Sequence, residues 1–120
     1  MSGISIGLAI KEMLKNVAGG RVFPVEAALG TDMPLIVYQR DSVTQDGDKD
    51  GSADIVSVTV VIVAPTYEKS IEIAEQVRKA LCRCGTFAGI EIADFELADA
   101  DEGKEDAAWL QGMSIKYEIG

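Results

Sequence analysis

The chain has 120 residues, enough for one domain with one core, since a chain of this size buries roughly two-thirds of its unfolded surface. Twenty Asp and Glu stand against eleven Lys and Arg, a net charge of −9 that repels phosphate backbones and argues against specific nucleic-acid binding. No apolar run approaches the ~18 residues of a membrane span, and the absence of His removes the commonest neutral-pH acid/base and the commonest zinc ligand.

"SGISIGLAIKEMLKNVAGG" predicts a helix over residues 2–20. Ile6, Ile10, Met13 and Val17 recur at helical spacing, with Leu14 widening the stripe. Ser2 or Ser5 can cap its start, and Gly19-Gly20 can stop it. There is no basic n-region, and Lys11 and Glu12 break the apolar stretch, so it does not read as a signal peptide. "RVFPVEA" is a short strand that Pro24 confines to an edge or a strand end. "PLIVYQRDSVT" is a second strand, with Leu35, Val37, Gln39, Asp41 and Val43 on one face and Ile36, Tyr38, Arg40 and Ser42 on the other.

"ADIVSVTVVIVAPT" is the strongest strand. Val56, Val58, Val60, Ile62 and Ala64 form one face; Ser57 and Thr59 begin the other, which Val61 and Val63 turn apolar. That pattern suits a strand running into a covered or subunit-contacting region. Thr66 then caps a helix with Tyr67, Ile71, Ala74, Val77 and Leu81 as its stripe, acids early, bases late, and Gly85 as its C′ residue. Cys82 and Cys84, two apart in that stretch, point in different directions and read as reduced packing residues of an intracellular chain.

"GIEIADFELADAD" is a strand whose parity slips from Ile90 and Ile92 to Phe95 and Leu97; a β-bulge near Ala93 reconciles them. It runs into the acidic loop "DADEGKED", residues 99–106, with the turn at "EGKED". "AAWLQGMSIKYEI" closes the chain, with Trp109, Met113, Ile115, Tyr117 and Ile119 on its core face. The order α-β-β-β-α-β-β predicts an α+β fold in a single domain, residues 1–120: an antiparallel sheet of about four to five strands with both helices packed on one face.

Between the second and third strands lies "DGDKDGSAD", which opens like a calcium loop. With Asp46 at position 1, Asp48, Asp50, Gly51 and Asp54 fall in place, but position 12 is Ser57, where the bidentate Glu belongs. The flanks alternate like strands. The stretch therefore reads as an acidic hairpin tip, and an acidic calcium-binding or adaptor module is the alternative function. Enzymatic signatures are missing: there is no G-x-S-x-G, P-loop or H-E-x-x-H, and the carboxylates cluster in polar stretches where nothing dry raises a pKa. No catalytic residue, metal ligand or cofactor is assigned. Arg40 reads as an exposed cross-strand partner, or as a contact to an acidic neighbouring subunit.

Two segments carry a resemblance. "VFPVEAALGTDMPLIVYQRDSV" presents Val22, Pro24, Gly30, Thr31, Pro34, Ile36, Val37, Tyr38 and Arg40, and "TYEKSIEIAEQVRKAL" presents Tyr67, Ala74, Val77, Arg78 and Leu81. With the order of elements, this resembles the tail-completion, or tail-terminator, proteins of long-tailed phages and prophages, over nearly the whole chain. The resemblance implies a structural virion protein of the tail or neck, present in the host cytoplasm during assembly. It implies a homo-oligomeric ring, typically a hexamer, that caps the tail tube and presents a surface to the head connector while DNA passes through its lumen. The family's interface positions vary, so no residue is carried over as a site, and the aspartate loop is more charged than the pattern requires. Arg40, Asp46, Asp48, Asp50, Asp54, Asp99, Asp101 and Glu102 are the candidate inter-subunit or lumen-facing residues. An acidic lumen lets duplex DNA slide without sticking.

Overall fold

The structure, a computed structural model, describes residues 2–45 and 53–120. The chain opens with a 3-10 turn at Gly3–Ser5, capped by the Ser2 hydroxyl, which accepts from the Ile4 N–H. Helix α1 follows at Ile6–Met13. It ends earlier than the apolar stripe predicts. Leu14, Val17 and Ala18 stay buried, but they do so in a turn and a second 3-10 segment at Ala18–Gly20. Ala18 and the two glycines take positive φ there, so the chain reverses sharply and delivers strand β1 (Val22–Pro24) to the sheet.

Strands β2 (Leu35–Gln45) and β3 (Asp54–Ala64) pair antiparallel, helix α2 spans Tyr67–Leu81, and β4 (Gly85–Phe87), β5 (Ile90–Glu105) and β6 (Ala108–Ile119) complete one six-stranded sheet in the order β1-β2-β3-β6-β5-β4. The sheet is mixed, since β1 runs parallel to β2 while every other neighbour is antiparallel. The α+β architecture is as expected. The sixth strand is β4, three residues that carry no alternation of their own.

The two helices cover one face of the sheet. Val56, Val58, Val60 and Ile62 of β3 and Ile115 and Tyr117 of β6 are all but inaccessible there, packed against Ile6, Ile10, Ile73, Val77 and Leu81. Burying a Val or Ile side chain is worth about 1.5–3 kcal/mol, so this layer is the main source of stability. Tyr117 brings a hydroxyl into it, which donates to the Leu81 carbonyl at 2.8 Å and satisfies a carbonyl at the end of α2. Thr66 caps α2 as the sequence predicts, accepting from the Lys69 N–H at 3.1 Å. The helix closes at Cys82 rather than near Gly85, which opens β4 with φ 145°. Cys82 is half-buried and Cys84 exposed, both beyond the helix.

Three bulges set the faces. The one at Ala93 is the slip read from the sequence, and it returns Phe95 and Leu97 to the helix side. A second sits at Ala98 and a third at Asp41. The third corrects the predicted parity of β2: Val43 pairs with Val56 and packs against the core, not on the face of Val37.

Candidate assembly surface

Among the described residues, the second face of the sheet has no helix over it. Along β3 it shows Ile55, Ser57, Thr59, Val61 and Val63, and along β6 Glu118, Lys116, Ser114, Gly112 and Leu110, all half-buried except Lys116, which is exposed. Strand β5 adds Asp94, Glu96, Asp99 and Asp101, whose cross-strand partners are Glu118, Lys116, Ser114 and Gly112, and Glu105 follows near the turn. Side chains two residues apart on a strand sit about 7 Å from one another, so these carboxylates form a ridge whose repulsion for anions adds along its length. Lys116, opposite Glu96, offsets part of it. Val37, Val61, Val63 and Leu110 make the end nearest the β5–β6 turn apolar.

Local chemistry holds the ridge in place. Asp94 and Asp99 accept from the N–H groups of Phe95 and Ala100 at 2.8 and 2.9 Å. Asp101 lies across Gly112, where a Cβ would collide with its carboxylate. The Asp41 carboxylate, pushed out by its bulge, accepts from the Thr59 hydroxyl.

On the helix side, β5 forms a polar clamp with α2. Tyr67 donates its hydroxyl to Glu102 at 3.0 Å, and Gln111 donates to Glu102 and to the Ser70 hydroxyl, each at 3.2 Å. Ser70 donates in turn to the Tyr67 carbonyl at 2.7 Å. The hydrogen bond to Glu102 and the carboxylate's charge raise the Tyr67 pKa above its ordinary value. Tyr67 also packs on Trp109, ring centroids 5.2 Å apart, with the Lys104 ammonium 4.7 Å above the indole. The clamp fixes the first turn of α2 to the β5–β6 hairpin.

The candidate residues therefore fall into four places. Asp99 and Asp101 stand together on the uncovered ridge. They do so from a strand: β5 continues to Glu105, so the predicted loop over 99–106 is a correction, and only Asp106 and Ala107 remain for the turn. Glu102 belongs to the clamp, on the opposite face. Arg40 and Asp54 are engaged at the N-terminus, Arg40 donating to the Ile4 carbonyl at 2.7 Å and Asp54 accepting from the Gly3 N–H at 2.8 Å. Asp46, Asp48 and Asp50 lie outside the described residues, and the segments on either side, β2 and β3, are strands. The clamp has no sequence signal, since its members lie far apart in the chain, Ser70 and Gln111 being 41 positions apart; the ridge reads in sequence only as an acidic patch. Among the described residues no group of three or more Cys, Asp or Glu is placed to hold a metal ion, and no helix is long and apolar enough to cross a membrane.

The family model for tail completion protein gp17 matches residues 8–119. The chain belongs to that family. It is a structural phage tail protein and not an enzyme. The fold agrees: a chain in the virion of a native gene transfer agent particle superposes with a TM-score of 0.73 at 12% identity, over 92% of this chain and 91% of that one. A second solved protein, designated only by a sequence identifier, superposes with a TM-score of 0.61 at 16% identity, over 100% and 96%. No curated protein matches the sequence.

Proposed function

We propose that this tail completion protein caps the tail tube as a homo-oligomeric ring, a hexamer in the reading its family resemblance implies, and joins the tube to the head connector. Family membership across residues 8–119 carries the proposal. The uncovered sheet face supports it, because a face that none of the described residues cover is available to a lumen or a neighbour. In this reading the ridge of Asp94, Glu96, Asp99 and Asp101 faces the lumen and keeps passing DNA from adhering. The apolar end, with Val61, Val63 and Leu110, meets an axial neighbour.

The test is end-binding. Purified tail tubes incubated with the protein and viewed by negative stain should carry a cap at one end, and capped tubes should stop elongating when tube subunits are added. Bare ends and unchanged elongation would contradict the proposal. The calcium-binding alternative is disfavoured by the strands that flank residues 46–52, where an EF-hand has helices, and the family match over residues 8–119 disfavours an unrelated adaptor.

A further inference from the structure

The sheet ends in two incomplete edges. On one side β1 covers β2 only from Ile36 to Tyr38, with the Val25 N–H adding a last bond to the Tyr38 carbonyl at 2.8 Å. Beyond it, Gln39–Gln45 has no strand on that side among the described residues. On the other side β4 covers β5 only from Ile90 to Ile92, and beyond it Asp94–Glu105, paired with β6 on its inner side, has no strand on its outer side among the described residues. An open edge is a template for another strand, and soluble chains blunt or cover theirs. Along this stretch Asp94 and Asp99 accept from the N–H groups of the residues that follow them, Phe95 and Ala100.

We infer that these two edges are complementary and join one copy of the chain to the next: Gln39–Thr44 of β2 pairs antiparallel with Asp94–Asp99 of a second copy's β5, extending the sheet from subunit to subunit. This rests on the ring reading above and names the contact that builds it. Three observations carry it.

The first is height. Following the pairings across the sheet, Thr44 is level with Ile55, Glu118 and Asp94; Ser42 with Ser57, Lys116 and Glu96; and Gln39 with Thr59, Ser114 and Asp99. The two open stretches thus occupy the same level. The second is polarity. Three antiparallel steps separate β2 from β5, so the strands run in opposite directions. Copies related by rotation about an axis along the strands bring β2 and β5 together antiparallel, and a head-to-tail contact of this kind repeats until it closes.

The third is the chemistry of the flanks. Where β1 stops, an apolar groove opens between α1 and the β2 edge, lined by Ile6, Gly7, Ile10, Tyr38 and Val25. Ile4, Leu8 and Val25 are 66%, 55% and 66% exposed near it. The β5 edge presents Phe95, 36% exposed, and half-buried Leu97 on that same helix-covered side of the sheet. A β5 strand added beside β2 lays Phe95 and Leu97 along the groove. On the uncovered side, the hydroxyls of Ser42 and Thr44 and the amide of Gln39 meet Glu96, Asp94 and Asp99: donors opposite carboxylates, with no like charge directly across. Asp41, the one acid of that stretch, is already bonded to Thr59.

Disulfide trapping tests the register, because ladder neighbours have Cα separations compatible with a disulfide. In a background with Cys82→Ala and Cys84→Ser, chains carrying Thr44→Cys are mixed with chains carrying Asp94→Cys and oxidised at high concentration. The mass distribution of the wild-type chain is measured in parallel by light scattering, free and with tail tubes. The expected result is cross-linking of the mixed pair well above either chain alone, and a chain bearing both substitutions linking into closed oligomers. Phe95→Glu and Leu8→Glu, both at exposed positions, should keep the monomer folded by circular dichroism and abolish the cross-link. A closed oligomer whose yield ignores all four substitutions would overturn the edge contact and leave the ring standing. Edge cross-links that give only open chains would sustain the contact and overturn the ring, and the absence of both cross-links and oligomers overturns both.

Discussion

The two faces of strands β3 and β6 are built from alternate residues of the same segments, yet they obey different rules. On the covered face Val56, Val58, Val60, Ile62, Ile115 and Tyr117 are at most 1% accessible, and each fits a place between two helices. On the uncovered face Ser57, Thr59, Ser114 and Lys116 alternate with half-buried Val61 and Val63, beside a strand of carboxylates. The first face is decided by packing within the chain. The second contributes little to packing, so its composition reflects what lies outside the chain. In the function proposed above, that difference separates the scaffold from the surface that meets the lumen or a neighbour.

The sharpest way to break the comparison is a matched pair of truncations. Ile115→Ala should cost about 2–5 kcal/mol, read as a lower urea midpoint, because it removes a fully enclosed side chain and leaves a cavity. Its neighbour Ser114→Ala, on the other face, should stay within about 0.5 kcal/mol. Equal losses would show that the uncovered face is structural too.

Tyr117→Phe comes next. It leaves the Leu81 carbonyl without its buried donor, at a cost of about 1–3 kcal/mol by denaturant titration. The same residue has a pH signature. Burial raises its pKa above the ordinary 10.0, so the folded state holds the phenol proton more tightly than the unfolded state does. Its contribution is complete below pH 10.0 and is lost as the pH climbs above it, where the unfolded phenol ionises first. Burial acts in the same direction on Tyr38. Tyr117→Phe should therefore flatten the alkaline fall in stability without abolishing it; an unchanged slope would place the effect elsewhere.

Asp54→Ala should cost about 1 kcal/mol, since it frees the Gly3 N–H, and the loss should appear as faster hydrogen exchange at Gly3 and in the turn after it. The smallest effect on stability belongs to the ridge. Asp99→Asn with Asp101→Asn should change stability by no more than about 0.5 kcal/mol each. Capped tubes carrying the pair should retain DNA in their lumen more strongly than wild-type capped tubes, with the difference larger at low salt than at high salt. A large loss of stability instead would make the ridge part of the scaffold.

Much of the covered face was legible because burial writes a period into the sequence. The alternation of β3 and β6, the stripe and Thr66 cap of α2, and the bulge at Ala93 all follow from which residues must be dry. What was hidden had no such constraint. Asp99 to Glu105 read as a loop because strand residues exposed on an uncovered face and at an edge can be acidic without penalty. Strand β4 is too short for a period, and β1's parallel partnering depends on the reversal at Ala18–Gly20, which no local pattern encodes. The bulge at Asp41 replaces one polar residue's place in the ladder with a bond to Thr59, a contact 18 positions away. The Glu102 clamp is likewise invisible until the hairpin and α2 are brought together.

A reconstruction of tail tubes capped by this protein tests the central claim most directly. The expected result is a closed ring in which α1 and α2 lie outward, the face bearing Asp99 and Asp101 lines the lumen, and β2 of each copy adjoins β5 of the next. A ring with the helices toward the axis and the carboxylate ridge outward would contradict it.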